Sequence, residues 1–133
     1  MEIWKPFVKG CYEVSSLGRA RSVTRHSADG RLWRGKVLSL AFDGYYMYFF
    51  MSVNGVGTKA RIHTAVARCF LGKRPAGKEA DHINGDKFNN AASNLEYVTH
   101  VDNQRRASKI GRMPTKENGR WKRRWRPALV KSS

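Results

Sequence analysis

The sequence predicts an α+β fold in three parts. An N-terminal β-meander with one helix comes first, then a compact strand–loop–strand–helix unit, then a basic C-terminal tail. Three observations predict it. Asp43-Gly44 and Asn54-Gly55 separate runs rich in aromatic and β-branched residues, as two-residue hairpin turns do. Ile62, Ala65, Val66, Cys69 and Phe70 recur at the spacing of one amphipathic helix face. Past residue 104 the acids almost vanish while Lys and Arg continue, and Gly111, Pro114, Gly119 and Pro127 interrupt any helix. The boundaries expected are 1–75, 76–110 and 111–133.

Along the first part, Trp4, Phe7 and Val8 are apolar anchors, and Tyr12 and Val14 alternate with Cys11 and Glu13 as in a short strand. Ser15-Ser16-Leu17-Gly18 turns the chain. Arg19, Arg21 and Val23 then share one strand face, and Arg25 follows. Arginines on a strand edge suit phosphate or groove contact. Residues 26–35 read as a polar loop with His26 exposed. Strands are expected over 36–42, 45–53 and 58–62, the middle one aromatic on both faces. The helix follows, ending at Gly72 and blocked by Pro75. His63 at its start reads as structural or phosphate-facing, and 73–78 as a short basic linker.

The chain has 133 residues and 41% apolar content, enough for a modest core. Its 26 Lys and Arg against 10 Asp and Glu give a net charge of +16, which points to a polyanionic partner, nucleic acid first. No apolar run is long enough for a bilayer, and the polar start MEIWKPFVKG is unlike a signal peptide. Membrane function is therefore not expected. Cys11 and Cys69 lie far apart, which excludes a four-cysteine zinc site and suits small thiols in a reducing cytoplasm.

The chemistry concentrates in EADHINGDKFNNAASNLEYVTHVDNQRRA, residues 79–107. Asp81 and His82 place a carboxylate beside an imidazole, and His is the side chain poised for base chemistry near neutral pH. An Asn- and Gly-rich loop follows, then a short strand at 94–98. Thr99 and Asp102 have helix-start spacing, which puts Asn103 in the first turns of a helix. Asp81 and the Asn103 amide oxygen are a sparse oxygen donor set of the kind Mg²⁺ takes. Adjacent strand residues point to opposite faces, so Asp81 and His82 share a site only if the backbone bends or bulges there. His100 reads as a surface or phosphate contact.

This stretch resembles the HNH nuclease motif of phage and intron homing endonucleases. The resemblance implies a ββα-metal unit in which His82 is the general base and Asn94 orients it by hydrogen bonding. Asp81 and Asn103 would hold the metal, Mg²⁺ with Mn²⁺ as a substitute. Upstream, Trp4, Pro6, Phe7 and YEVSSLGRARS from Tyr12 to Ser22 resemble a short module found beside such motifs, implying a small β unit on DNA. The expected function is metal-dependent cleavage of double-stranded DNA to 5′-phosphate and 3′-hydroxyl ends. A monomer or weak homodimer is expected, in the cytoplasm of a bacterial host if the gene belongs to a phage. The alternative is a non-catalytic DNA- or RNA-binding protein that keeps the scaffold. Candidate DNA contacts are Arg19, Arg21, Arg25, Arg105, Arg106, Lys122, Arg123 and Arg124, with Trp121 and Trp125 docked on the core if helical or stacked on bases if extended.

Overall fold

The computed structural model describes the backbone of residues 1–110, 115–117 and 120–122, and the side chains of residues 1–105. Strands β1 (Trp4–Val8), β2 (Tyr12–Ser15) and β3 (Ala20–Ser22) form an antiparallel sheet in that order. The turn between β2 and β3 is closed by the buried Ser15 hydroxyl, which accepts from the backbone N–H groups of Leu17 at 3.2 Å and Arg19 at 3.0 Å. Gly18 completes it at φ +89°. A Cβ there would come within 2.7 Å of the Asn90 backbone, so the turn sits flush against a loop far along the chain.

Residues 26–35 are not a plain loop. Arg25–His26 and Leu32–Trp33 pair as a minimal hairpin, β4 and β5, with Asp29 and Ser27 bonding locally to close it. The strand expected over 36–42 is reduced to β6 (Ala41–Phe42). Its first half runs against β3 instead, with Ser22 N–H on the Lys36 carbonyl at 2.9 Å and Leu38 N–H on the Ala20 carbonyl at 2.8 Å. Strands β7 (Met47–Val53) and β8 (Val56–Arg61) complete the meander. Between them Asn54 and Gly55 both have positive φ, the geometry a tight hairpin turn needs. Phe49 and Met51 face inward on β7, while Phe50 is exposed.

Helix α1 (Ile62–Phe70) follows without a break, and Gly72 at φ +91° lies just past its end. Its buried face (Ile62, Ala65, Val66) packs on Tyr12, Val14, Ala20, Phe49 and Leu95. Each large apolar side chain removed from water there contributes about 1.5–3 kcal/mol. The core therefore runs unbroken from the N-terminal sheet, through α1, to the hairpin that carries the motif. That hairpin is β9 (Lys78–His82) and β10 (Leu95–Thr99), followed by α2 (His100–Ile110). The Thr99 hydroxyl caps α2 by accepting from Asp102 N–H at 3.2 Å. A last pair, β11 (Thr115–Glu117) and β12 (Arg120–Lys122), lies in the basic tail and places Trp121 in a strand. The side chains of Arg106, Lys122, Arg123 and Arg124, and all of Trp125, lie outside the described residues. Among the described residues, no helix is long and apolar enough to cross a membrane. Cys11 and Cys69 are free and half-buried.

Candidate active site

Strands β9 and β10 pair without a register shift from Lys78–Thr99 to His82–Leu95. No register shift separates Asp81 from His82, and the Asp81 carboxylate lies within electrostatic reach of the His82 ring and of Lys87. His82 is the last residue of its strand. The chain turns directly after it, with Gly85 N–H on the His82 carbonyl at 2.9 Å and Gly85 at φ +76°. The bend lies one step later than expected, because the strand partner Leu95 keeps His82 in the ladder.

His82 is 3% exposed, and its Nε2 lies 2.8 Å from Asn90 Oδ1. With an amide oxygen facing the ring, Nε2 carries the proton and Nδ1 keeps the lone pair. Burial pushes the imidazole below its ordinary pKa and outweighs the opposing pull of the Asn90 bond and of the Asp81 and Asp86 charges. His82 is held neutral at physiological pH, the state a proton acceptor requires.

The Asn94 side-chain hydrogen bonds go to the loop and not to His82. The Asn94 amide nitrogen donates to Asn84 Oδ1 at 3.0 Å and to the Asn89 carbonyl at 2.9 Å, and its Oδ1 accepts from Asn84 N–H at 3.2 Å. The amide that meets the ring directly is that of Asn90. Asn94 sits in a single 3-10 turn (Ala92–Asn94) whose side chain points into the loop, and its carbonyl accepts from Ile83 N–H at 2.8 Å. It fixes the loop that presents Asn90. From sequence alone Asn89 and Asn90 are both ordinary turn formers, and no local signal separates the one that meets the ring.

A second group of residues gathers around the ring. Tyr46 stacks on His63 with centroids 4.4 Å apart, and His63 lies 5.1 Å from His82. Lys87 Nζ stands 4.0 Å over the Tyr46 ring, and the Arg61 guanidinium 4.9 Å from it. Lys87 is half-buried, and desolvation lowers its pKa against the pull of Asp81. His63 is 4% exposed, and burial first, then the nearby His82, pushes its pKa down to about 3.

Along β9, Glu79 shares Asp81's side by alternation. Glu79 accepts from the Asn103 side-chain nitrogen, and His100 Nδ1 lies 3.5 Å from it. The Asn103 bond is the main reason the Glu79 carboxyl stays below its usual range. With the amide nitrogen of Asn103 so fixed, its Oδ1 is the atom left to offer a cation. No group of three or more His, Cys, Asp or Glu with metal-site geometry occurs among the described residues. Asp81, Asn103 and the adjacent Glu79 make a sparse, oxygen-only donor set, which fits a hard, well-hydrated ion.

Two family models match the chain, the NUMOD4 motif over residues 2–54 and the HNH endonuclease over residues 60–105. Residues 60–105 carry an HNH endonuclease domain. The HNH match takes in α1, the hairpin and the first turns of α2. Similar proteins include an uncharacterized HNH endonuclease, L247, of Acanthamoeba polyphaga mimivirus, 33% identical over 112 residues, 80% of this chain and 26% of that protein. DNA endonuclease I-HmuI of Bacillus phage SP01 is 32% identical over 108 residues, 76% of this chain and 56% of that protein. A solved structure of I-HmuI, described as DNA binding and cleavage by an HNH homing endonuclease, matches with a TM-score of 0.66. That alignment has 28% identity and covers 82% of this chain and 59% of that one. The chain spans only about a quarter of the mimivirus relative's length.

The described arginines among the expected DNA contacts have partners within the chain. Arg19 forks onto Glu2, Arg21 bonds Glu13 at 2.8 Å, and both lie against Trp4. Arg25 donates to the Cys11 carbonyl at 3.0 Å and lies over Tyr12. Arg105 is exposed, 3.9 Å from Asp102.

Proposed function

We propose that this chain is a metal-dependent DNA endonuclease that hydrolyses a phosphodiester to 5′-phosphate and 3′-hydroxyl ends. The observation that carries the reading is His82, buried and neutral, with Nε2 spent on Asn90 and Nδ1 left as the proton acceptor. Nδ1 takes a proton from water as that water attacks phosphorus. Asn90 holds the ring, and Asn94 holds the loop that carries Asn90. Lys87, within electrostatic reach of both His82 and Asp81, faces the charge that develops on the phosphoryl oxygens. Asp81 and the Asn103 Oδ1 would hold Mg²⁺, or Mn²⁺ in its place. When bound, the ion supplies Lewis-acid stabilisation of the phosphate and the departing oxygen.

The likeness to a protein described as binding and cleaving DNA supports DNA as the partner. One site of this kind cuts one strand per encounter, so double-strand cleavage takes a dimer or two successive events. The test is plasmid nicking with Mg²⁺, with EDTA, and with His82→Ala. Loss of the base is expected to lower the rate by about 10²–10⁴ while binding persists. Nicking by His82→Ala at the wild-type rate would overturn the base assignment. Binding without nicking under any divalent ion would leave a non-catalytic binder on the same scaffold.

A further inference from the structure

A cleft of about 850 Å³ opens beside the motif hairpin, between α1, β8 and β9. Its walls carry Arg61, Arg68, Lys73 and Arg74, and its one carboxylate among the described residues is Glu79. Lys59 also lines it and pairs with Asp43 at 3.6 Å. The other four cations make no ion pair among the described residues. Arg61 and Arg68 rest over the Tyr46 and Phe7 rings, and Arg74 donates to the Lys78 carbonyl. His63 forms part of the wall, and its buried Nδ1 has no hydrogen-bond partner. Buried polar atoms in a folded chain almost always have partners. The cleft thus gathers four cations without an ion pair among the described residues, beside a buried imidazole.

The contrast with the N-terminal sheet is direct. Arg19 and Arg21 answer to Glu2 and Glu13, so their charge is largely neutralised at home. Arg61, Arg68, Lys73 and Arg74 have no such acids among the described residues. Like charges gathered on one concave wall repel each other unless a polyanion lies between them.

We propose that this cleft binds the phosphate backbone of the DNA strand leading into the hairpin, with Arg61, Arg68, Lys73 and Arg74 as its contacts. The proposal rests on the reading of DNA as substrate, and puts non-scissile phosphates on the α1 side of His82.

The test uses the full chain carrying His82→Ala, so that binding is read without cleavage. Affinity for a short duplex of arbitrary sequence is measured against salt concentration. Adding Arg68→Gln and Lys73→Gln is expected to weaken binding several-fold and to flatten the slope of log affinity against log salt by about 1 for each cation replaced. Both positions are exposed, and an unchanged melting temperature confirms folding. Arg68→Lys should keep the slope, and Lys9→Gln, outside the cleft, should not alter it. An unchanged slope in the double variant overturns the proposal. An equal effect on duplex RNA overturns the commitment to DNA. Because the readout is binding, a chain that never nicks plasmid would sink the nuclease reading and leave this one standing.

Discussion

The N-terminal sheet and the motif hairpin are built on opposite plans. In the sheet, long cationic side chains are matched one to one with acids and laid over Trp4. Those contacts close the sheet on itself. In the hairpin and its loop, uncharged amides hold one another: Asn84 with Asn94, Asn94 with Asn89, Asn90 with His82. Amides fix geometry without supplying charge, so they aim an imidazole that burial keeps neutral. The difference teaches where specificity of position matters. A paired arginine tolerates loose placement, whereas a ring held at 2.8 Å by a single amide does not.

The comparison can be broken most forcefully at Asn90. Asn90→Leu removes the only described bond to His82 Nε2, and misplacement of a catalytic group by about 1 Å costs roughly 10²-fold in rate. Turnover should fall by about that factor with little change in KM. A wild-type turnover number would show that the ring is held by packing against His63 and Tyr46 alone.

Asn94 sharpens the same point, because its effect should appear in stability. Asn94→Ala strips several loop hydrogen bonds and leaves the half-buried Asn89 carbonyl and Asn84 amide underserved, costing about 1–3 kcal/mol. Chemical denaturation should register this before any change in binding of short duplexes.

His63 provides a pH test. Its folded pKa is about 3 and its unfolded value about 6.5. The unfolded chain therefore binds the extra proton between these values, and stability falls as pH drops below 6.5 towards 3. The slope from one such group is at most about 1.4 kcal/mol per pH unit. His82 adds to it with the same sign. His63→Phe keeps the stack on Tyr46 and should flatten the acid limb of the stability curve; an unaltered limb would mean that other groups carry it.

The smallest effect is expected in the sheet. Arg21→Gln breaks a partly exposed pair worth about 0–1 kcal/mol. Its salt slope for DNA should move less than that of the Arg68→Gln, Lys73→Gln variant. A larger change would return the N-terminal arginines to the DNA surface.

The helix from Ile62 to Phe70 and the strand–loop–strand–helix unit after it are legible in the sequence because their signals are local: the apolar stripe of the first, Thr99 three residues before Asp102, and glycines where the chain needs positive φ. The hairpin of Arg25–His26 with Leu32–Trp33 is not, because two-residue strands leave almost no periodic trace. Residues 36–38 take β3 as their partner, a choice made by packing across the sheet and not by their own pattern.

By itself the sequence determined which residue types stand at the motif positions and roughly which elements carry them, since both depend on neighbours within a few positions. Only the tertiary structure decided that Asn90 meets the His82 ring, and that Gly18 presses on Asn90 from the far end of the chain. It also placed His63 beside that ring and four cations without an ion pair among the described residues along one cleft. Those contacts join segments separated by many residues. Their geometry is set by how the shared core around α1 packs, which no local pattern encodes.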